Sequence, residues 1–184
     1  MRQRSSTVPA LTLAAFMAAL AAPWAFAAVQ PGPSQHLIPQ SLIVEHQDTL
    51  DRLTALARRR GEVGQEARKA LALFKAHTAR EQEFILPPLT LLPDLAAGKV
   101  TPDMAWALTM ADRVKTEHEQ IYQEHVQVTD AMTALYNAGK RAKDKEAMDF
   151  AQAGVADSLN DSELLEPMVL MIGDYLRSKL PAAR

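Results

Sequence analysis

Lys75-Ala76-His77-Thr78-Ala79-Arg80-Glu81-Gln82-Glu83-Phe84-Ile85-Leu86-Pro87-Pro88 reads as a helix up to its two prolines. His77 and Glu81 stand at i and i+4, which stacks an imidazole and a carboxylate one turn apart on one face. Leu73, Phe74, Phe84 and Ile85 turn much of that face toward a core. A carboxylate buried without a partner costs several kcal/mol, so the pair calls for a third group. A metal ion satisfies both donors, and the remaining ligands are then sought elsewhere in the chain.

On the N-terminal side, Pro39 opens a first helix running to about Arg60, with Leu42, Ile43, His46, Leu50, Leu53 and Leu56 at helical spacing. Gly61 and Gly64 punctuate the turn, and the second helix starts near Glu66 and stops at Pro87. On the C-terminal side, Leu89 to Gly98 reads as a short helical connector. Thr101-Pro102 marks the start of a third helix that continues to about Ala138, with Gly139 ending it. A fourth helix begins near Lys145, is broken or kinked by Pro167, and is followed by a last helical piece from Met168 to Leu180. Strand signals are nearly absent. The expected fold is all-α, an antiparallel up-down-up-down four-helix bundle over residues 39–180.

Ahead of it, Arg2 and Arg4, the apolar run Val8 to Ala22 and the ending Ala25-Phe26-Ala27 describe a secretory signal peptide over 1–27. The run is short for a membrane span. Residues 28–38 form a Pro-rich lead-in, in which His36 reads as a solvated linker residue. The implied location is periplasmic or secreted, with no membrane attachment after cleavage.

Removing 27 of the 184 residues takes away two arginines and no acid, moving the net charge from −2 to −4. A mildly acidic protein is a poor candidate for nucleic acid. The basic runs Arg58-Arg59-Arg60 and Lys140 to Lys145 are short, lack aromatics and read as solvated turns. With no cysteine in the chain, any metal has to be held by nitrogen and oxygen alone.

The chain also repeats itself. Glu45-His46 in the first helix recurs as Glu117-His118 in the third. Ala76-His77-x-x-x-Glu81-x-Glu83-x-x-x-Pro87 recurs as Ala156-Asp157-x-x-x-Asp161-x-Glu163-x-x-x-Pro167. Neighbouring helix axes in a bundle lie roughly 8–10 Å apart, so inward side chains of four helices can meet at one ion or an ion pair. The expected metal ligands are His46, His77, Glu81, His118, Asp157 and Asp161. Each alone has an ordinary explanation, a half-buried histidine or an acid on a solvated face; the joint pattern favours metal. Tyr122 and His125 follow His118 on the same helix face: Tyr122 is a candidate ligand or hydrogen-bond donor to one, His125 a candidate extension of the site, and packing or hydrogen bonding within the bundle is the ordinary explanation for both. Phe74, Phe84, Leu159 and Leu164 are read as the shelter around the centre.

These residues resemble the hemerythrin-like (HHE cation-binding) domain family, from Ile38-Pro39-Gln40-Ser41-Leu42 to Gly173-Asp174-Tyr175-Leu176. The likeness is strongest at Phe84-Ile85-Leu86-Pro87-Pro88-Leu89 and at Glu117-His118-x-x-Ile121. The resemblance implies a non-heme, usually di-iron centre, with His46, His77, Glu81 and His118 on ligand positions. The chain departs from the family on its fourth helix, where Asp157-x-x-x-Asp161 replaces a histidine-bearing pair, and at Tyr122, where oxygen carriers have a second histidine. A donor set richer in oxygen favours ferric iron or another hard ion over reversible oxygen carriage. The function so implied is metal binding, with non-heme iron or another divalent metal, coupled to a small diatomic ligand such as oxygen or nitric oxide, or to iron handling. Two alternatives are an enzyme that oxidises iron or consumes peroxide at the same centre, and a metal-free helical interaction domain.

Overall fold

The computed structural model describes residues 36–181, so the expected signal peptide and most of the lead-in lie outside the described residues. Every regular element in this range is helical: α1 (Gln40–Ala57), α2 (Gly61–Arg80), α3 (Leu92–Ala96), α4 (Trp106–Ala142), α5 (Lys145–Asn160) and α6 (Glu166–Lys179). Among the described residues no helix is long and apolar enough to cross a membrane. α1 packs on α2, α2 on α4, and α4 on both α5 and α6.

The helix ends follow local chemistry. Gly61, at φ 80°, takes a backbone conformation that glycine adopts freely, and α2 starts there rather than at Glu66. α4 runs through Gly139 to Ala142 and is ended by Lys143, at φ 56° in the left-handed region. Gly139 instead lies tight under Ala147 and Met148 of α5. The Asp144 carboxylate then accepts from the Ala147 N–H and caps α5. Arg59 reaches that same carboxylate at 2.6 Å, tying the α1–α2 turn to the α4–α5 turn. His36 stacks on Trp106 with ring centroids 3.8 Å apart, which corrects its reading as a solvated linker residue.

α2 and α5 both end in a widened π turn, Glu81–Ile85 and Asp161–Leu165. In each, an N–H reaches back five residues: Leu86 to the Glu81 carbonyl at 2.8 Å, Glu166 to the Asp161 carbonyl. A proline follows immediately, Pro87 or Pro167. Proline has no N–H to give and its ring crowds the carbonyl four residues back; an extra residue in the turn before it makes room. The written repeat therefore has a backbone counterpart at Glu81 and Asp161.

Two apolar clusters fill the interior. One gathers Phe84, Ile85, Leu86, Ile121, Leu165, Val169 and their neighbours. The other gathers Leu53, Leu56, Ala70, Val128, Met132, Phe150 and theirs. Between them every long helix changes character: His46 on α1, His77 on α2, His125 on α4 and Ser158 on α5 are buried polar residues at the boundary. The polar layer is thus set by the sequence position at which each apolar stripe is interrupted.

α6 meets α4 at Gly173, where an added Cβ would lie 2.5 Å from the Ala111 Cβ. Gly173→Ala is expected to push the helices apart and cost about 1–3 kcal/mol, the usual penalty for overpacking. Urea unfolding monitored by circular dichroism measures it.

Candidate metal centre

The polar layer brings donors from five helical segments together. His77 Nε2 lies 3.2 Å from Glu81 Oε1, and His46 Nε2 lies 3.5 Å from Glu81 Oε2. Glu81 is 2% exposed and sits where the π turn starts, turning one oxygen to each histidine. Two groups of donors can each hold an ion: His77, Glu81 and His125, and His46, Glu81 and Asp161, with ligand atoms within 4.8 Å of one another in each. Glu81 belongs to both.

His125, a candidate extension of the site by its spacing from His118, belongs to one of the two donor groups. Its ring meets that of His77 edge to face at 4.4 Å, and its Nε2 lies 2.9 Å from Glu166 Oε1. On its other side Nδ1 faces the Ser158 hydroxyl at 3.2 Å, while that hydroxyl is 3.4 Å from the His125 carbonyl oxygen. Ser158 can thus donate to the carbonyl and accept from Nδ1–H, the tautomer that leaves Nε2 a lone pair for an ion. Glu166 is only 3% exposed.

Of the expected ligands, His46, His77, Glu81 and Asp161 come together. His118 does not: its side chain is 64% exposed, and its Nδ1 lies 3.5 Å from Glu166 Oε2 at the edge of the layer. Glu166 takes the interior position beside His125 and leaves His118 outside. Asp157 is exposed and lies outside both donor groups; it lines a small cavity with Glu45, His46, Thr49 and Asp161. Tyr122 is exposed, and so are Leu159 and Leu164, which therefore do not shelter the centre. Phe74, packed edge-on to His46 at 5.9 Å, does.

His125 had a signal in the sequence. It stands between Ile121 and Val128 on a stripe continued by Met132 and Leu135, whereas His118 stands among Lys115, Thr116, Glu117, Glu119 and Gln120. Glu166 had none that α-helical spacing could reveal. It is five residues from Asp161, and only the widened turn between them alters the helical phase.

The buried groups of the layer shift one another's proton affinities. Burial opposes a charged His77, but the Glu81 carboxylate, with Glu124 and Asp161 beside it, pushes the imidazole up to about 10. Burial likewise works against the Glu81 carboxylate, yet His77 first, then His46 and His125, hold it below the usual carboxylate range. Asp161 is pushed up to about 8 by burial and by the neighbouring Glu81 charge.

The donor atoms are close without being bonded to one another. His77 Nε2, Glu81 Oε2, His125 Nε2 and Glu166 Oε1 are all buried and have no aligned hydrogen-bond partner, although each lies 2.9–3.5 Å from a nitrogen or carboxylate oxygen of the layer. Two ligand atoms bound at about 2.1 Å and a right angle around one ion lie about 3 Å apart and point at the ion, not at each other. Nitrogen and carboxylate oxygen in this mixture suit iron, zinc and related divalent ions. The residues present fit a metal. Compared with protein-family models, with curated proteins and with solved structures, the chain finds no match.

Proposed function

We propose that this chain is a metal-binding protein of hemerythrin-like type, an antiparallel up-down-up-down four-helix bundle holding non-heme iron between its two apolar clusters. The observation that carries this reading is Glu81, buried between two histidine groups with one oxygen facing each. That is the placement of a carboxylate shared by two ions, an arrangement that recurs with metals about 3.5–4 Å apart. His77 and His125 hold one ion with Glu81, and His46 and Asp161 hold the other. Glu166, beside His125, completes the donor set.

The proposed job is to bind or sense a small diatomic molecule, or to handle iron, in an exported protein from which residues 1–27 have been removed. Three imidazoles with three carboxylates leave the oxygen-rich character of the donor set in place and favour ferric iron over reversible oxygen carriage. What the bound iron would supply is an open coordination position; what the chain supplies is Phe74 and Val128 against the layer, limiting water there.

Elemental analysis of the purified protein after iron loading tests the reading, together with its absorption spectrum in air. Two irons per chain with near-ultraviolet oxo-bridge bands are expected for the wild type. His125→Ala should lose at least one ion, and His118→Ala should keep both. A wild type that retains no metal, or an H118A protein as depleted as H125A, overturns the assignment.

A further inference from the structure

His77 has two faces, and the centre uses only one. Nε2 points to Glu81, while Nδ1 points the other way, toward Glu124 Oε2 at 3.8 Å. Glu124 is itself held: Gln120 Nε2 donates to its Oε1 at 3.1 Å, and Arg80 Nε lies 3.1 Å from its Oε2. Arg80 also donates to Glu117 at 2.6 Å, and Arg113 binds both Glu117 at 2.7 Å and Glu83 at 2.6 Å. Glu124 is therefore the inner end of a strip of alternating charges along α2 and α4.

Three atoms where this strip meets the polar layer are buried without an aligned partner: His77 Nδ1, Glu124 Oε2 and Arg80 Nε. Their residues line one cleft of about 310 Å³ between α2 and α4. A neutral imidazole that offers Nε2 to an ion must carry its proton on Nδ1, and a buried N–H with no acceptor is costly. Glu124 is the carboxylate facing that N–H. At 3.8 Å the contact is too long for a hydrogen bond, but the cleft has room for one bridging water.

We propose that Glu124 is a positioning residue for His77: it accepts a hydrogen bond from the Nδ1–H through one water, and thereby keeps Nε2 free and aimed at the centre. Arg80 offsets the carboxylate's charge and fixes its orientation. The proposal rests on the reading of His77 as a metal ligand. It goes further by fixing which tautomer His77 adopts and which residue imposes it.

Zinc-loaded protein, being diamagnetic, allows the His77 ring to be followed by nitrogen NMR while affinity is measured by competition with a chelator. In the wild type a slowly exchanging Nδ1–H resonance is expected; a fast-exchanging ring N–H overturns the proposal without any variant. Glu124→Ala should weaken zinc binding about 10- to 100-fold, the usual loss when a ligand histidine loses its outer partner, and abolish that resonance. Glu124→Gln keeps an acceptor oxygen and should keep the resonance and most of the affinity. If E124A binds zinc as tightly as the wild type with the ring resonance unmoved, the positioning role is wrong and the metal reading stands. If the wild type takes up no zinc, the metal reading falls and takes this proposal with it.

Discussion

Glu81→Ala is expected to reduce bound metal to background and to cost the metal-free protein about 3–5 kcal/mol near neutral pH, the penalty for breaking a buried ion pair from one side. Both effects come from one position. Each donor group loses the residue the two share once Glu81 is gone, which leaves His46 with Asp161, and His77 with His125 and its neighbour Glu166, too few donors to hold the two ions. In the metal-free protein the same carboxylate is the largest of the charges, Glu124 and Asp161 being the others, that keep His77 protonated up to about pH 10. A histidine whose folded value is raised contributes stability that is complete below its ordinary value of about 6.5 and gone above the folded one. The deficit of E81A relative to wild type should therefore be largest near pH 6 and narrow toward pH 10. Chelator-treated samples unfolded in urea across that range give the curve; a deficit that does not change with pH contradicts the assignment of Glu81 as the counter-charge.

Asp161→Asn has the opposite sign for the metal-free protein. A carboxyl raised to about 8 keeps its proton in the fold while the unfolded chain has released it, so stability falls as pH rises from about 4 to 8. The amide, which has no proton to lose, removes that penalty. Because Asp161 keeps part of its surface in water, the gain should be about 3 kcal/mol at pH 8, less than the full shift converts to, and should vanish near pH 4. Metal binding moves the other way, since an uncharged amide is a poorer ligand than a carboxylate. Both His77 and Asp161 have to release protons to bind an ion, and each proton displaced contributes about tenfold in apparent affinity per pH unit. Between pH 6 and 8 the wild type should gain up to about a hundredfold per unit, and D161N about tenfold. Zinc titrations at several pH values read the slopes directly, and equal slopes would refute the role given to Asp161.

The all-helical fold was readable because the apolar spacing along α1, α2 and α4 repeats with the helical period and the breaks carry proline or glycine. Boundaries were less readable. Gly139 looked like the end of α4, but a glycine serves equally where another helix must approach closely, and Ala147 and Met148 use it that way. The centre was half readable. His77 and Glu81 on α2 needed only i,i+4 spacing. His118 was chosen because it repeats the Glu45-His46 dipeptide, yet burial follows the neighbours of a residue and not its dipeptide, and apolar flanks belong to His125. Glu166 lay beyond any reading that assumed an unbroken α-helix across residues 161–165, since one extra residue in a turn rotates everything after it by about 100°.

The two apolar clusters have a consequence for traffic. Both ends of the helical stack are plugged with hydrocarbon, Phe84, Ile121 and Leu165 on one side, Met132, Leu135 and Phe150 on the other. Two openings reach the polar layer from the side, one beside Asp157 and one beside Gln123 and Gln127. The gap beside Asp157, with about 10 Å³ of free space, admits something the size of one water molecule, so girth would decide admission there before any chemistry does.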